Sequence, residues 1–263
     1  MMTREENLKQ FFGDDGRTVI LPIDHGTAIP VPGMESPETL IEKTSPHVDG
    51  YVVNLGVALA GYEVLEGKGI CLRTDCYKPV FEDNHDEGAY RIFGVEHADM
   101  IGAHAVMNML YPDHCNEAEI FRGAAELIGD SIEVEIPVIL ESLPVGIGRP
   151  DDYTPERIGF AVRAAAELGA DVVKTALPTG GSEDDFKRIV EGCFVPVIVL
   201  GGAAMGDDEA LLGMVRKAVD AGASGIAVGR NVWQHNDPPK IAEALAAIVH
   251  GGDTVSSALK LLS

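Results

Sequence analysis

Eight short apolar runs rich in Val and Ile punctuate the chain, and longer amphipathic stretches separate most of them. They are Thr18–Asp24, Asp49–Val57, Gly69–Asp75, Met100–Leu110, Pro137–Leu143, Asp171–Leu177, Pro196–Gly201 and Gly225–Gly229. Near-continuous apolarity, rather than strict alternation, is the pattern of parallel strands covered by helices on their outer face. The stretches between carry helix signals. Thr154-Pro155-Glu156 sets an N-cap with proline in the first helical position, and the helix it opens stops at Gly169. Further helices are predicted from Asn116 to Ile128 with Gly129 as the stop, and from Ser182, with acids in the first turn where the macrodipole favours them. Two more run from Asp207 to Ala221, ahead of Gly222, and from Pro239 to His250. Another helix, Arg4–Phe12, precedes the first run.

A weak repeat supports the same order of elements. Gly102-Ala103, Gly169-Ala170 and Gly222-Ala223 each place a helix-ending glycine just before a buried run. Eight strand–helix units in 263 residues predict one domain, 1–263, folded as a TIM (β/α)8 barrel with a short N-terminal helix. A doubly wound open sheet is the alternative, but no G-x-G-x-x-G turn follows the first run. Lys78–Ala98 is the least regular stretch.

Composition narrows the partners. The net charge is −22, which speaks against nucleic acid and anionic membranes, both of which are bound by clustered Lys and Arg. A small anion in one local pocket stays compatible with it. The four cysteines, Cys71, Cys76, Cys115 and Cys193, lack C-x-x-C spacing and read as reduced, packed thiols. The N-terminal MMTREENLKQFF has no signal-peptide core, and no apolar run nears the roughly 20 residues that span a bilayer, so a cytoplasmic protein is expected.

In a TIM barrel the chemistry sits at the C-terminal strand ends. Lys174 lies inside Val172-Val173-Lys174-Thr175-Ala176-Leu177, with apolar neighbours on both sides. Desolvation disfavours an ammonium, and a neutral amine attacks carbonyl carbon to form a Schiff base. Pairing with a neighbouring carboxylate is the other reading of the same lysine. Asp24 ends the first run, on the face of Ile20 and Pro22 by period-two alternation, where it can shuttle a proton, hold a lysine charged or cap the next turn. Glu141, in Ile139-Leu140-Glu141-Ser142-Leu143, is an acid in an apolar strand, and burial is expected to raise its pKa toward the range useful for acid–base work.

Gly201-Gly202 closes the seventh run, and Gly229-Arg230 closes the eighth, the two loops that commonly hold phosphate in such barrels. Arg149, in Gly146-Ile147-Gly148-Arg149-Pro150, is a candidate for a second anionic group, or else a surface arginine. His25, His85, His97, His104 and His114 show no metal-ligand spacing, so no metal is expected, and His25 reads as a rim residue touching substrate or loop.

Ile23-Asp24-His25-Gly26, Val172-Val173-Lys174 and Gly225–Gln234 (GIAVGRNVWQ) together resemble the class I, Schiff-base aldolases of the archaeal-type fructose-bisphosphate group, within the deoxyribose-phosphate and tagatose-bisphosphate aldolase superfamily. The resemblance covers about residues 15–250. It implies a barrel that makes or breaks a carbon–carbon bond in a phosphorylated ketose, with no cofactor, in a homo-oligomer. Lys174 matches the Schiff-base lysine and Asp24 the first-strand carboxylate. Gly201, Gly202, Gly229 and Arg230 match the phosphate loops.

Two departures stand out. The group's Tyr-Pro proton donor is replaced by Leu143-Pro144, so the resemblance passes the acid–base role to Glu141, which is similar to the glutamate of tagatose-bisphosphate aldolases, with Tyr111 as the alternative donor. The seventh-run loop reads Gly-Gly-Ala-Ala, without the Pro-Lys often found there. The rival readings are a transaldolase-like or aminosugar-forming enzyme, a thiolase-like relative, and a non-catalytic phosphosugar-binding barrel.

Overall fold

The computed structural model describes residues 2–77 and 88–263. Ten strands occur among them: β1 (Thr18–Pro22), β2 (Gly50–Val53), β3 (Gly69–Arg73), β4 (Asp75–Tyr77), β5 (Ala89–Arg91), β6 (Ala105–Leu110), β7 (Val138–Ser142), β8 (Val172–Thr175), β9 (Val197–Leu200) and β10 (Gly225–Ala227). Eight of them close into a parallel barrel in the order β1-β10-β9-β8-β7-β6-β3-β2. Each of the eight falls inside one of the eight apolar runs. β4 and β5 form a separate antiparallel pair, which no apolar run announced.

The helices are α1 (Arg4–Leu8), α2 (Pro37–Thr44), α3 (Leu55–Ala60), α4 (Val95–Met100), α5 (Glu117–Glu133), α6 (Pro155–Leu168), α7 (Glu183–Glu191), α8 (Asp208–Asp220), α9 (Arg230–Trp233), α10 (Pro238–Val249) and α11 (Val255–Ala258). The three repeated glycines, Gly102, Gly169 and Gly222, all sit at positive φ, where an L side chain would be strained.

Several boundaries differ from the sequence reading, among them Met100–Leu110, which is strand only over β6 and starts on the last residue of α4. Gly129 does not stop α5, because buried Ile120, Ala124, Leu127, Ile128 and Ser131 carry the helical stripe straight through it. Asp49–Val57 is strand only over β2, and its end becomes α3. The N-terminal helix stops at Leu8 instead of Phe12, which frees Phe11 to plug the floor of the barrel. Gly50 and Gly69 make room for it: a Cβ on either would come within 2.7 and 2.6 Å of the Phe11 ring. Arg4 anchors the same segment, with two bonds to the Asp171 carboxylate at 2.7 and 2.6 Å.

Two cores follow from strand alternation. The larger packs the outward strand faces against the helices. The smaller fills the barrel around Phe11 with inward residues such as Ile20, Cys71, Met107, Ile139, Val172 and Ile198. The next inward positions toward the C-terminal mouth are Arg73, Glu141 and Lys174, with Asp24 at the mouth end of the Ile20 face. The apolar filling ends where the charged residues begin.

Candidate functional site

A cavity of about 810 Å³ opens at the C-terminal mouth of the barrel. Asp24, Arg73, Glu141 and Lys174 stand on its floor, and Gly201, Gly202, Gly229 and Arg230 on one wall. Leu143, Ile147, Pro150 and Tyr153 line another stretch, with Ile29 and Pro30 from the loop after β1.

Lys174 is only 4% exposed. It is the register partner of Glu141 across β7 and β8, which brings Lys174 Nζ to 3.0 Å from Glu141 Oε2. The lysine therefore has the carboxylate partner of the second reading, and its side chain also lines the cavity. The same Oε2 accepts from Arg73 Nη2 at 2.6 Å, and Arg73 Nε donates to Asp24 Oδ2, also at 2.6 Å. Arg73 Nη1 lies 3.4 Å from Asp75 Oδ1, and Asp75 Oδ2 accepts the Met109 N–H at 2.7 Å. One guanidinium thus gathers carboxylates from the ends of three strands.

Arg73 sets the protonation of its neighbours. Burial pushes the Glu141 carboxyl up, but Lys174 and Arg73 outweigh it and leave the pKa below the ordinary glutamate value. The expectation of a raised Glu141 pKa is corrected here, because two cations from distant strands converge on one of its oxygens, which burial alone does not foretell. Asp24 behaves alike: burial raises it, while Arg73 and then His25 draw it well below the usual carboxylate range. Asp75 differs. Its burial is opposed by a more distant Arg73 contact and by one backbone N–H, and its pKa is pushed up to about 6.

The Asp24 side chain does not cap the turn that follows. Its Oδ1 is buried without a hydrogen-bond partner among the described residues and faces His25 Nδ1 at 3.3 Å. His25 lines the cavity and meets Trp233 edge-on, with ring centres 5.5 Å apart. Gly229 fits between these groups because a Cβ there would meet Pro22 O at 2.8 Å and His25 Cε1 at 2.9 Å. Arg230 reaches the cavity, and its Nε is buried without a hydrogen-bond partner among the described residues.

Two expected residues fall elsewhere. Arg149 does not line the cavity, although its neighbours Gly148 and Pro150 do. The Tyr153 hydroxyl donates to Gly146 O at 2.8 Å and accepts the Arg149 N–H, so the loop offers the Tyr153 ring to the cavity instead. Tyr111 is buried and also absent from the lining, with its hydroxyl unpartnered among the described residues. His85 lies outside the described residues, among which no three His, Cys, Asp or Glu side chains gather to hold a metal.

Sequence reasoning missed Arg73, Asp75, Tyr153 and Tyr77, whose ring lines the cavity with the Arg73 guanidinium 5.4 Å from its centre. Alternation from inward Cys71 pointed Arg73 into the barrel, and that was the available signal.

Comparison with known proteins gives the family and matches the fold. Residues 18–235 match the family described as DeoC/LacD family aldolase. A fructose-bisphosphate aldolase class 1 of Thermoproteus tenax is 31% identical over 99% of this chain and 100% of its own length. A 2-amino-3,7-dideoxy-D-threo-hept-6-ulosonate synthase of Halobacterium salinarum is 32% identical over 93% of this chain and 91% of its own. The crystal structure of an archaeal fructose 1,6-bisphosphate aldolase superposes with a TM-score of 0.85 at 31% identity, covering 95% of this chain and 100% of that one. An archaeal fructose-1,6-bisphosphate aldolase whose catalytic lysine is covalently bound to a carbinolamine intermediate matches with a TM-score of 0.82 at 31% identity, over 94% and 99% of the two chains.

Proposed function

The chain belongs to the DeoC/LacD aldolase family, and from that premise we propose that it makes and breaks a carbon–carbon bond of a phosphorylated ketose through a Schiff base on Lys174. The observation that carries the proposal is Lys174 Nζ, buried on the cavity floor and 3.0 Å from an ionised Glu141.

The ionised Glu141 carboxylate, 3.0 Å from the lysine, is placed to receive the ammonium proton as the ketone binds, although its lowered pKa makes it a weak base, and the transfer leaves the amine lone pair free for the ketone carbon. Attack gives a carbinolamine. Glu141, now protonated, returns its proton to the departing hydroxyl as water leaves, which forms the iminium. Asp24, which lines the cavity and whose Oδ1 accepts no hydrogen bond among the described residues, is assigned as the base for the hydroxyl proton at the scissile carbon. Loss of that proton breaks the adjacent carbon–carbon bond; the bonding pair moves into the iminium and yields an aldehyde and an enamine. Protonation and hydrolysis of the enamine release the ketone fragment and restore Lys174. Binding in the cavity supplies orientation, which is where a large part of the rate gain originates.

Gly201, Gly202, Gly229 and Arg230 are assigned to a phosphoryl group, with His25 between that wall and Asp24. The most direct substrate reading is fructose 1,6-bisphosphate, the substrate in the names of several relatives. A second reading draws on Leu143, Ile147, Pro150 and Ile29. This apolar wall suits a ketose phosphate with a deoxygenated distal half, or transfer of the enamine to another acceptor. Cleavage of a panel of ketose phosphates, followed by release of dihydroxyacetone phosphate, separates them. Wild type is expected to cleave at least one member and Lys174→Met none above background. Undiminished cleavage by Lys174→Met refutes the assignment.

A further inference from the structure

Asn231 belongs to the GIAVGRNVWQ stretch but has no part in the chemistry above. It is buried, and its carboxamide makes three hydrogen bonds, all to the loop after β9. Nδ2 donates to Gly201 O at 3.1 Å and to Ala203 O at 3.0 Å, while Oδ1 accepts the Met205 N–H at 2.8 Å. Across a trans peptide the carbonyl and the following N–H point to opposite sides. With the carbonyls of Gly201 and Ala203 turned onto Asn231, the N–H groups of Gly202 and Ala204 point away from it. Both residues line the cavity. Gly202 has φ of +67°, the left-handed conformation through which turns gather successive N–H groups into an anion-binding concavity. The Met205 N–H, by contrast, is already taken. The loop has no lysine from Gly201 to Gly206, so backbone donors are its only means of holding an anion.

We propose that Asn231 is a positioning residue, which sets the β9 loop so that the N–H groups of Gly202 and Ala204 seat the substrate's phosphoryl group beside Arg230. The inference rests on the phosphoryl reading of this wall. Asparagine suits the task because one planar group supplies two donors and one acceptor. Aspartate supplies no donor, and leucine supplies neither.

The test compares wild type with Asn231→Leu. Borohydride trapping of Lys174 is titrated with two probes, dihydroxyacetone phosphate and dihydroxyacetone, and the half-saturating concentrations give the preference for phosphate. That preference is expected to fall at least tenfold in the variant. A variant that keeps the wild-type preference, even with both probes weakened alike, overturns the inference. Amide hydrogen exchange on wild type gives a second readout that needs no variant. Inorganic phosphate is expected to slow exchange at Gly202 and Ala204 and to leave Met205 unchanged, and unchanged exchange at the first two overturns the inference. If wild type does not prefer the phosphorylated probe and inorganic phosphate does not compete with it, the phosphoryl reading itself falls, a result distinct from failure of Asn231 alone.

Discussion

Arg73 is 1% exposed, and its two shortest contacts, both 2.6 Å, go to Asp24 and Glu141. A buried ion cluster does not by itself stabilise a fold, but removing one partner from it strands the others. Arg73→Leu is therefore expected to destabilise the protein by about 3–5 kcal/mol in denaturant unfolding, because Asp24 and Glu141 would stay buried without their shared cation. Arg73→Lys keeps the charge and loses the fork, so it is expected to recover part of that stability and little of the activity. The same cluster explains what could be read at this scale. Lys174, Asp24 and Glu141 were legible because each is a charge in or next to an apolar strand, an anomaly within a few residues of sequence. Arg73 carries the same anomaly, yet its meaning lies in carboxylates 49 and 68 positions away, which only barrel closure brings together. The lowered pKa of Glu141 was hidden for the same reason.

The barrel strands were legible as elements because helix-covered parallel strands are apolar almost throughout. The β4–β5 pair was not, since three-residue strands with mixed burial leave no period to detect. The end of α1 was misplaced because helix propensity continues past Leu8, while the floor of the barrel needs Phe11. Phe11→Ala is expected to cost about 3–5 kcal/mol, measured by chemical denaturation, since Gly50 and Gly69 leave a gap that nothing else fills. A second tie at this end is His250, whose Nδ1 lies 2.9 Å from Asp15 and whose Nε2 lies 3.0 Å from Asp49. The Asp49 hydrogen bond chiefly raises its pKa, and Asp15 adds to the effect against partial burial. A histidine raised on folding contributes stability that is fully present below its unfolded pKa of about 6.5 and is lost as pH climbs through the folded value. His250→Gln is thus expected to lower Tm by about 2–4 °C at acidic pH and by much less under alkaline conditions. A loss that grows with pH would contradict the bridge.

Over the whole molecule, a charge of −22 coexists with a cavity assigned to an anionic ligand. The two are reconciled by placement: Asp184, Asp207 and Glu209 are exposed on or next to the outer helices α7 and α8, while Arg230 and the glycine loops line the mouth. The expectation that the acidic surface disfavours polymeric anions concerns that outer layer and leaves the mouth untouched. Among the described residues, no helix is long and apolar enough to cross a membrane. Schiff-base chemistry on this cavity floor rests on one covalent bond at one nitrogen, Lys174 Nζ. Wild type and Lys174→Met are each incubated with dihydroxyacetone phosphate and sodium borohydride, then digested and mapped by mass spectrometry. A reduced adduct is expected on the peptide containing Lys174 in wild type and none in the variant. An adduct on another lysine, or one that persists in Lys174→Met, would contradict that expectation.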